Sequence, residues 1–179
     1  MNKVILSLIL VSACLQLSAQ KIYATKTGQV KFNASTPLEK VAAVNDQVDS
    51  KMVDKTGQVI FSALIKSFKF ENQLMEDHFN ENYMESSKFP KAEFRGYVTN
   101  VSTVNFSKDG KYPVTVDGIL SIHGVQKKVT TTGLIIIEGG KPIITGSFKV
   151  PLKDYGVTGS YVGGKIANEA EISINCKYE

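Results

Sequence analysis

The sequence has no tryptophan, and its 179 residues include only two cysteines, two histidines and five prolines. Each scarcity removes a class of protein. A disulfide framework needs pairs, and loss of the first 19 residues leaves Cys176 alone, so packing must hold the fold. Metal centres need clustered ligands. His78 falls in a stretch of helical spacing and His123 in a turn signal, and neither opens a ligand motif. His78 with Glu81, three residues on, reads as a neighbour pair on a solvated helix face. Charge of one sign is also missing: 21 basic and 17 acidic residues are scattered along the chain, and without Lys3 the net charge falls from +4 to +3. Nucleic acid, which calls for basic residues gathered on one face, is therefore not an expected partner.

The opening segment reads as a leader. Lys3 supplies a positive start and Val4 to Val11 an apolar run too short to span a bilayer. Leu17-Ser18-Ala19 before Gln20 resembles a signal-peptidase site. Val11-Ser12-Ala13-Cys14 resembles a bacterial lipobox, with Cys14 acylated. The first makes the protein periplasmic or secreted, the second lipid-anchored through Cys14. Residues 20–179 are then expected to form one domain without an integral membrane segment.

What the chain does have is alternation. Ala170, Ile172, Ile174, Cys176 and Tyr178 share one parity, with Glu171, Ser173, Asn175 and Lys177 on the other, as in a strand with one apolar face. The same two-residue period appears at Val30, Phe32 and Ala34; at Ala92, Phe94, Gly96 and Val98; at Val114, Val116, Gly118, Leu120 and Ile122; and at Phe148, Val150 and Leu152. Strands are predicted over residues 22–35, 41–52, 58–70, 91–105, 112–122, 125–137, 142–152 and 167–178. The turn signals Thr56-Gly57, Asp109-Gly110, His123-Gly124 and Gly139-Gly140 make neighbours antiparallel. Residues 41–52 are the weak case, because Asp46 and Ser50 share parity with Val44, Val48 and Met52. Over residues 71–85, Leu74, Met75, His78, Phe79 and Tyr83 fall at three-and-four spacing, which predicts one short amphipathic helix between the third and fourth strands. The fold class is all-β: an eight-stranded antiparallel barrel or a two-sheet sandwich, closure being favoured because it removes exposed edges.

An apolar inward face can be a packed core or the wall of a hollow. Ala34, Ala63, Ala92, Gly96, Gly118, Gly133 and Gly146 stand on inward parities among large residues, which leaves space near the axis. The same glycines can instead relieve twist in a filled barrel. Parity and the helix assign to the lining Phe32, Phe61, Ile65, Met75, Phe79, Phe94, Val98, Val116, Leu120, Ile122, Phe148, Val150, Ile172 and Ile174. Such a wall suits a long hydrocarbon: at roughly 0.8 kcal/mol per buried methylene, ten methylenes give on the order of 8 kcal/mol before ordering costs. The helix either covers one end of the hollow or plugs a core.

Three stretches carry a family resemblance. His78-Phe79-Asn80-Glu81-Asn82-Tyr83, followed by Lys88-Phe89-Pro90-Lys91-Ala92-Glu93-Phe94, resembles the helix-to-strand signature of the YceI-like lipid and polyisoprenoid-binding proteins. Leu120-Ser121-Ile122-His123-Gly124-Val125, with Lys127 and Lys128, resembles that family's central hairpin. Phe148-Lys149-Val150 through Leu152-Lys153-Asp154-Tyr155-Gly156-Val157 resembles its penultimate-strand motif. The resemblance implies an extended, lipocalin-like eight-stranded barrel in an exported bacterial protein. Its lumen would hold a polyisoprenoid, an isoprenoid quinone or a related lipid for carriage or storage in the cell envelope. Two positions depart from the pattern: many members have arginine where Leu152 stands, and a His-Ser pair where this chain has Gly28-Gln29.

Sharper chemistry fares poorly. Gly159-Ser160-Tyr161-Val162-Gly163-Gly164-Lys165 has phosphate-loop spacing, but Ile166 replaces the hydroxyl residue that would ligate magnesium and the following segment alternates like a strand. Cys176 lies in the clearest strand, facing an apolar interior that disfavours a thiolate, and no G-x-S-x-G elbow occurs. Neither catalysis nor a cofactor is expected. The competing function is an envelope interaction module with a filled core. Ile60 and Leu64, opposite in parity to Phe61 and Ile65, would form its second apolar surface or a homodimer face.

Overall fold

A computed structural model describes residues 20–179. The expected leader, including the bond after Ala19 and Cys14, lies outside the described residues. The alternating stretches form β1 (Ile22–Asn33), β2 (Ala42–Val53), β3 (Gln58–Leu64), β4 (Lys69–Phe70), β5 (Lys91–Val98), β6 (Gly110–Ile122), β7 (Val125–Glu138), β8 (Lys141–Pro151) and β9 (Glu169–Lys177). Hydrogen bonding runs β1-β9-β8-β7-β6-β5-β3-β2, every pair is antiparallel, and β1 also pairs with β2, which closes the ring. The two-residue β4 hangs on the start of β2, so eight strands make the wall. Closure leaves no long edge to template aggregation. No helix among the described residues is long and apolar enough to cross a membrane.

Two hairpins explain the register. His123-Gly124 and Gly139-Gly140 have φ of 51° and 77°, and 57° and 74°. Positive φ at both central residues is what a two-residue turn needs to match strand twist. His123 takes the strained position without being glycine and is held on three sides. Its Nε2 lies 2.8 Å from Glu85 Oε2, its Nδ1 lies 3.2 Å from the Tyr155 carbonyl, and its ring meets Phe89 edge-to-face. The Asp109-Gly110 signal is not a tight hairpin. β5 ends at Val98 rather than near 105, and a short 3-10 turn at Val101–Thr103 precedes β6.

Simple alternation fails at three places, each for a local reason. In β1 the inward set changes from Tyr23 and Thr25 to Val30 and Phe32 across register shifts around Gly28. In β2, Asp46 and Gln47 are both exposed, so Ala43 and Asn45 point inward before the irregularity and Val48, Ser50 and Met52 after it. An extra residue in one strand has this effect, since one step turns every later side chain over. Asp46 is thus outside. Asn45 is buried but satisfied, donating to the Leu64 carbonyl and accepting from the Gln47 N–H. Ser50, also inward, donates to the Ile60 carbonyl and lies 2.6 Å from the Tyr178 hydroxyl. The predicted third strand breaks after Leu64. A 3-10 turn at Ile65–Ser67 interrupts it, and Phe68 and Phe70 then face the interior.

The helix is shorter than its periodicity suggests. α1 spans Gln73–His78 and continues as a π-helical turn, Phe79–Tyr83. Asn72 caps it by accepting from the Leu74 N–H. Glu76 is its buried residue, receiving the Lys69 ammonium at 2.7 Å and the Phe70 N–H. Leu74, expected on the apolar face, is 60% exposed.

Candidate functional site

Towards one end of the barrel the inward faces do not meet. They enclose an elongated hollow of about 520 Å³, within the roughly 300–1,000 Å³ usual for small-molecule sites. Phe61, Ala63 and Ile65 of β3, Leu120 and Ile122 of β6, Ile144, Phe148 and Val150 of β8, and Ile172 and Ile174 of β9 supply much of its wall. Its floor is solid: below Val48, Phe61 and Ile174 come Met52, Val59, Ile135 and Tyr178, none more than 1% exposed. Its mouth lies at the other end, among the loop of residues 34–41, α1 with its π turn, and residues 156–168.

Aromatic rings line the approach to the mouth. Phe32 stacks on Phe79 at 5.3 Å, Phe70 lies 5.0 Å from Phe79, and Phe68 meets both Phe32 and Phe79 edge-on. These offset and edge-on arrangements stabilise a ring cluster beyond its simple burial. Polar groups are sparse and stand mainly near the rim: Glu39, Asn72, His78, Tyr161 and Lys165. Inside, Thr131, Thr132 and Thr145 come from the wall. Glu93 is engaged by Arg95 at 3.2 Å. Burial raises the ionisation points of Tyr83 and Tyr155, so both phenols stay neutral, and nearby Tyr161 and Asp154 respectively add to the effect.

All the lining residues expected from sequence border this hollow except Val98. Val98 is 2% exposed and belongs to the packed floor. The reason lies one step up its strand. The ring tip of Phe94 rests on the paired Gly96 and Gly118, where an added Cβ would sit 2.8 and 2.5 Å from it. Those two glycines therefore house a ring rather than open space, a correction to the expected lining. Gly133 and Gly146, paired across β7 and β8, do border the hollow, as do Ala34, Ala63 and Ala92.

Alternation misses Phe68 and Phe70, which follow the 3-10 turn after Leu64, and Val41, which lies just ahead of β2 and on the far side of its irregularity at Asp46-Gln47. The alternation of Phe68-Lys69-Phe70 is the available signal for the first two. The stretch of phosphate-loop spacing forms turns on the rim and opens no helix; Tyr161, Lys165 and Ile166 border the mouth. Cys176 lies in the floor between Ile174 and Tyr178, fully buried, and burial pushes its thiol up from 9.0 to about 12. Among the described residues no three histidine, cysteine, aspartate or glutamate side chains gather in a way that could hold a metal ion.

Against known families, residues 20–178 match the YceI-like domain. The chain belongs to the YceI-like family. Solved structures carry the same fold at low identity. A polyisoprenoid binding domain from Saccharophagus degradans superposes with a TM-score of 0.76 at 12% identity, covering 88% of this chain and 97% of that one. Burkholderia cenocepacia BcnA gives 0.68 at 14% identity, covering 83% and 94%. A Campylobacter jejuni YceI protein gives 0.51 at 17% identity, covering 74% and 81%. No curated protein matches by sequence. Within this YceI-like barrel both departures acquire a place. Leu152 borders the lumen near the mouth, where a charge would alter an apolar wall. Gly28 faces Cys176, whose Sγ would lie 2.5 Å from any Cβ there, so the cysteine fills the space a side chain at residue 28 would take.

Proposed function

We propose that this YceI-like protein is an exported, non-enzymatic carrier that holds a long apolar chain, such as a polyisoprenoid, an isoprenoid quinone or a related lipid, within its lumen. The observation that carries the reading is the hollow itself: elongated, walled by aliphatic and aromatic side chains, closed at one end, with its polar groups mainly at the rim. Such a lining selects by length and cross-section rather than by directed hydrogen bonds, and burial of methylenes provides the affinity. A terminal polar group would rest among Asn72, His78, Tyr161 and Lys165 while the tail runs towards Phe94. Catalysis has little support in the lining, since Cys176 is packed into the floor, outside the hollow, with its thiol held neutral. Two considerations point to the cell envelope as the place of action: the leader-like start of the sequence, and the presence of such lipids in membranes.

The test is extraction. Protein purified without detergent from its native host is treated with organic solvent and the extract analysed by mass spectrometry. A recurring long-chain lipid in near-stoichiometric amount is expected. Repeated recovery of folded, empty protein would favour an interaction module instead. Fractionation of the same cells tests the location, with the protein expected outside the cytoplasm.

A further inference from the structure

Three large apolar side chains stand exposed around the mouth, each from a different segment. Leu38 is 76% exposed, Leu74 60% and Tyr161 54%. Leu38 sits at the tip of a turn that is built rather than loose. The backbones of Thr36 and Glu39 bond to each other in both directions, the Thr36 hydroxyl accepts from the Leu38 N–H, and Pro37 restricts the turn. The three segments are also fastened together. The Thr36 hydroxyl donates to the Lys165 carbonyl, the Ala167 N–H donates to the Ala34 carbonyl, and Lys40 pairs with Glu71 just ahead of α1. The rim is thus a tied ring presenting leucine, leucine and tyrosine outward, continuous with an apolar lumen.

We infer that this rim docks on the surface of a lipid bilayer, with Leu38, Leu74 and Tyr161 inserted among the headgroups so that the lumen opens directly into the acyl region. The inference rests on the carrier reading: a chain that is insoluble in water needs a dry path between membrane and lumen, and the mouth is where that path begins. Leucine and tyrosine suit the task, the first entering the acyl boundary and the second settling at headgroup level. Charge decides what kind of surface is recognised. The rim segments carry Glu39, Glu71, Asp77 and Glu81 against Lys40 and Lys165, Glu76 being buried against Lys69, so attraction to anionic lipid is not the driving force. Apolar insertion is, and docking therefore tolerates salt and does not require acidic headgroups.

The experiment is flotation of the purified protein with phosphatidylcholine vesicles, with and without phosphatidylglycerol, at low and high salt. The expected result is co-flotation in all four conditions. It should fall by roughly tenfold or more in the triple variant Leu38→Ser/Leu74→Ser/Tyr161→Ser, and stay unchanged in the control Ile22→Ser/Tyr97→Ser, which alters exposed apolar residues away from the rim. Binding of the dye N-phenyl-1-naphthylamine, measured without vesicles, reports the lumen separately. Flotation retained with no dye binding would sink the carrier reading and leave docking standing. Dye binding retained in a protein that never floats would overturn docking alone. Flotation of the triple variant at the wild-type level, or its loss at high salt, would also overturn it. So would a dimer on light scattering that the triple variant abolishes, since the rim would then belong to a second copy of the chain.

Discussion

The two ends of the barrel are made from the same strands and read differently. At the closed end Met52, Val59, Ile135, Ile137 and Tyr178 are at most 1% exposed and belong to the packed core. At the open end Phe32, Phe70, Phe79 and Ile172 are only partly buried and face a hollow. Alternation alone does not distinguish them, because both ends are apolar inside. The difference lies in volume. Near the floor large side chains come from opposite strands at one level, whereas higher up Ala63, Ala92, Gly133 and Gly146 leave room between the rings. Stability and capacity are thereby assigned to different layers of one sheet, and substitutions can separate them.

The largest contrast is expected from truncation. Ile137→Ala should cost about 2–5 kcal/mol, because it opens a void among packed neighbours. Ile172→Ala, whose neighbour is already space, should cost about 1 kcal/mol. Urea unfolding of lipid-free protein measures both, and equal losses would remove the distinction between the layers.

A second contrast concerns alkali. Cys176 is pushed up to about 12 and Tyr178 is raised further by burial, although its contact with Ser50 opposes the shift. Both groups are held protonated in the fold, whereas the unfolded chain loses the thiol proton near 9.0. Stability should be level below pH 9 and then decline through about pH 12, with a slope approaching ~1.4 kcal/mol per unit for the thiol alone. Cys176→Ala should remove the thiol's share of that decline and leave the share of Tyr178, which sets in above its ordinary 10.0, as followed by denaturation midpoints across the range.

The open end answers to a different change. Ala92→Phe should fill the lumen and lower dye affinity by roughly tenfold or more, with unfolding free energy altered by about 1 kcal/mol. Gly118→Phe is unsuitable for the purpose, since an added Cβ there meets the Arg95 carbonyl as well as the Phe94 ring at 2.5 Å. The smallest effect belongs to Tyr178→Phe, which removes one buried contact. It should cost about 1 kcal/mol and leave dye binding unchanged.

Much of this layout is legible in the sequence, and the exceptions are instructive. β9 can be read residue by residue because no irregularity interrupts it. β1 and β2 cannot be read through, since their register shifts turn the inward face over partway along; Asp46 on an apolar parity marks β2 as irregular but does not place the step. The 3-10 turn after Leu64 hides Phe68 and Phe70 for the same reason. Val98 was misplaced by a different failure. Parity gives the direction of a side chain but not its height along the axis, and height decides whether it meets the hollow or the floor. For Gly96 and Gly118, composition offers open space or relief of twist, and the structure shows a third use, in which the missing side chain makes way for the Phe94 ring.

That ring has a consequence for how such barrels diverge. Because the Phe94 ring lies over the glycine pair on its side of the floor, the depth available to a guest there depends on the side chain at one position rather than on the length of any strand. A descendant with a smaller residue at that position would accept a longer tail without rebuilding a hairpin, and its relatives could sort cargo by size while keeping the same outer shape.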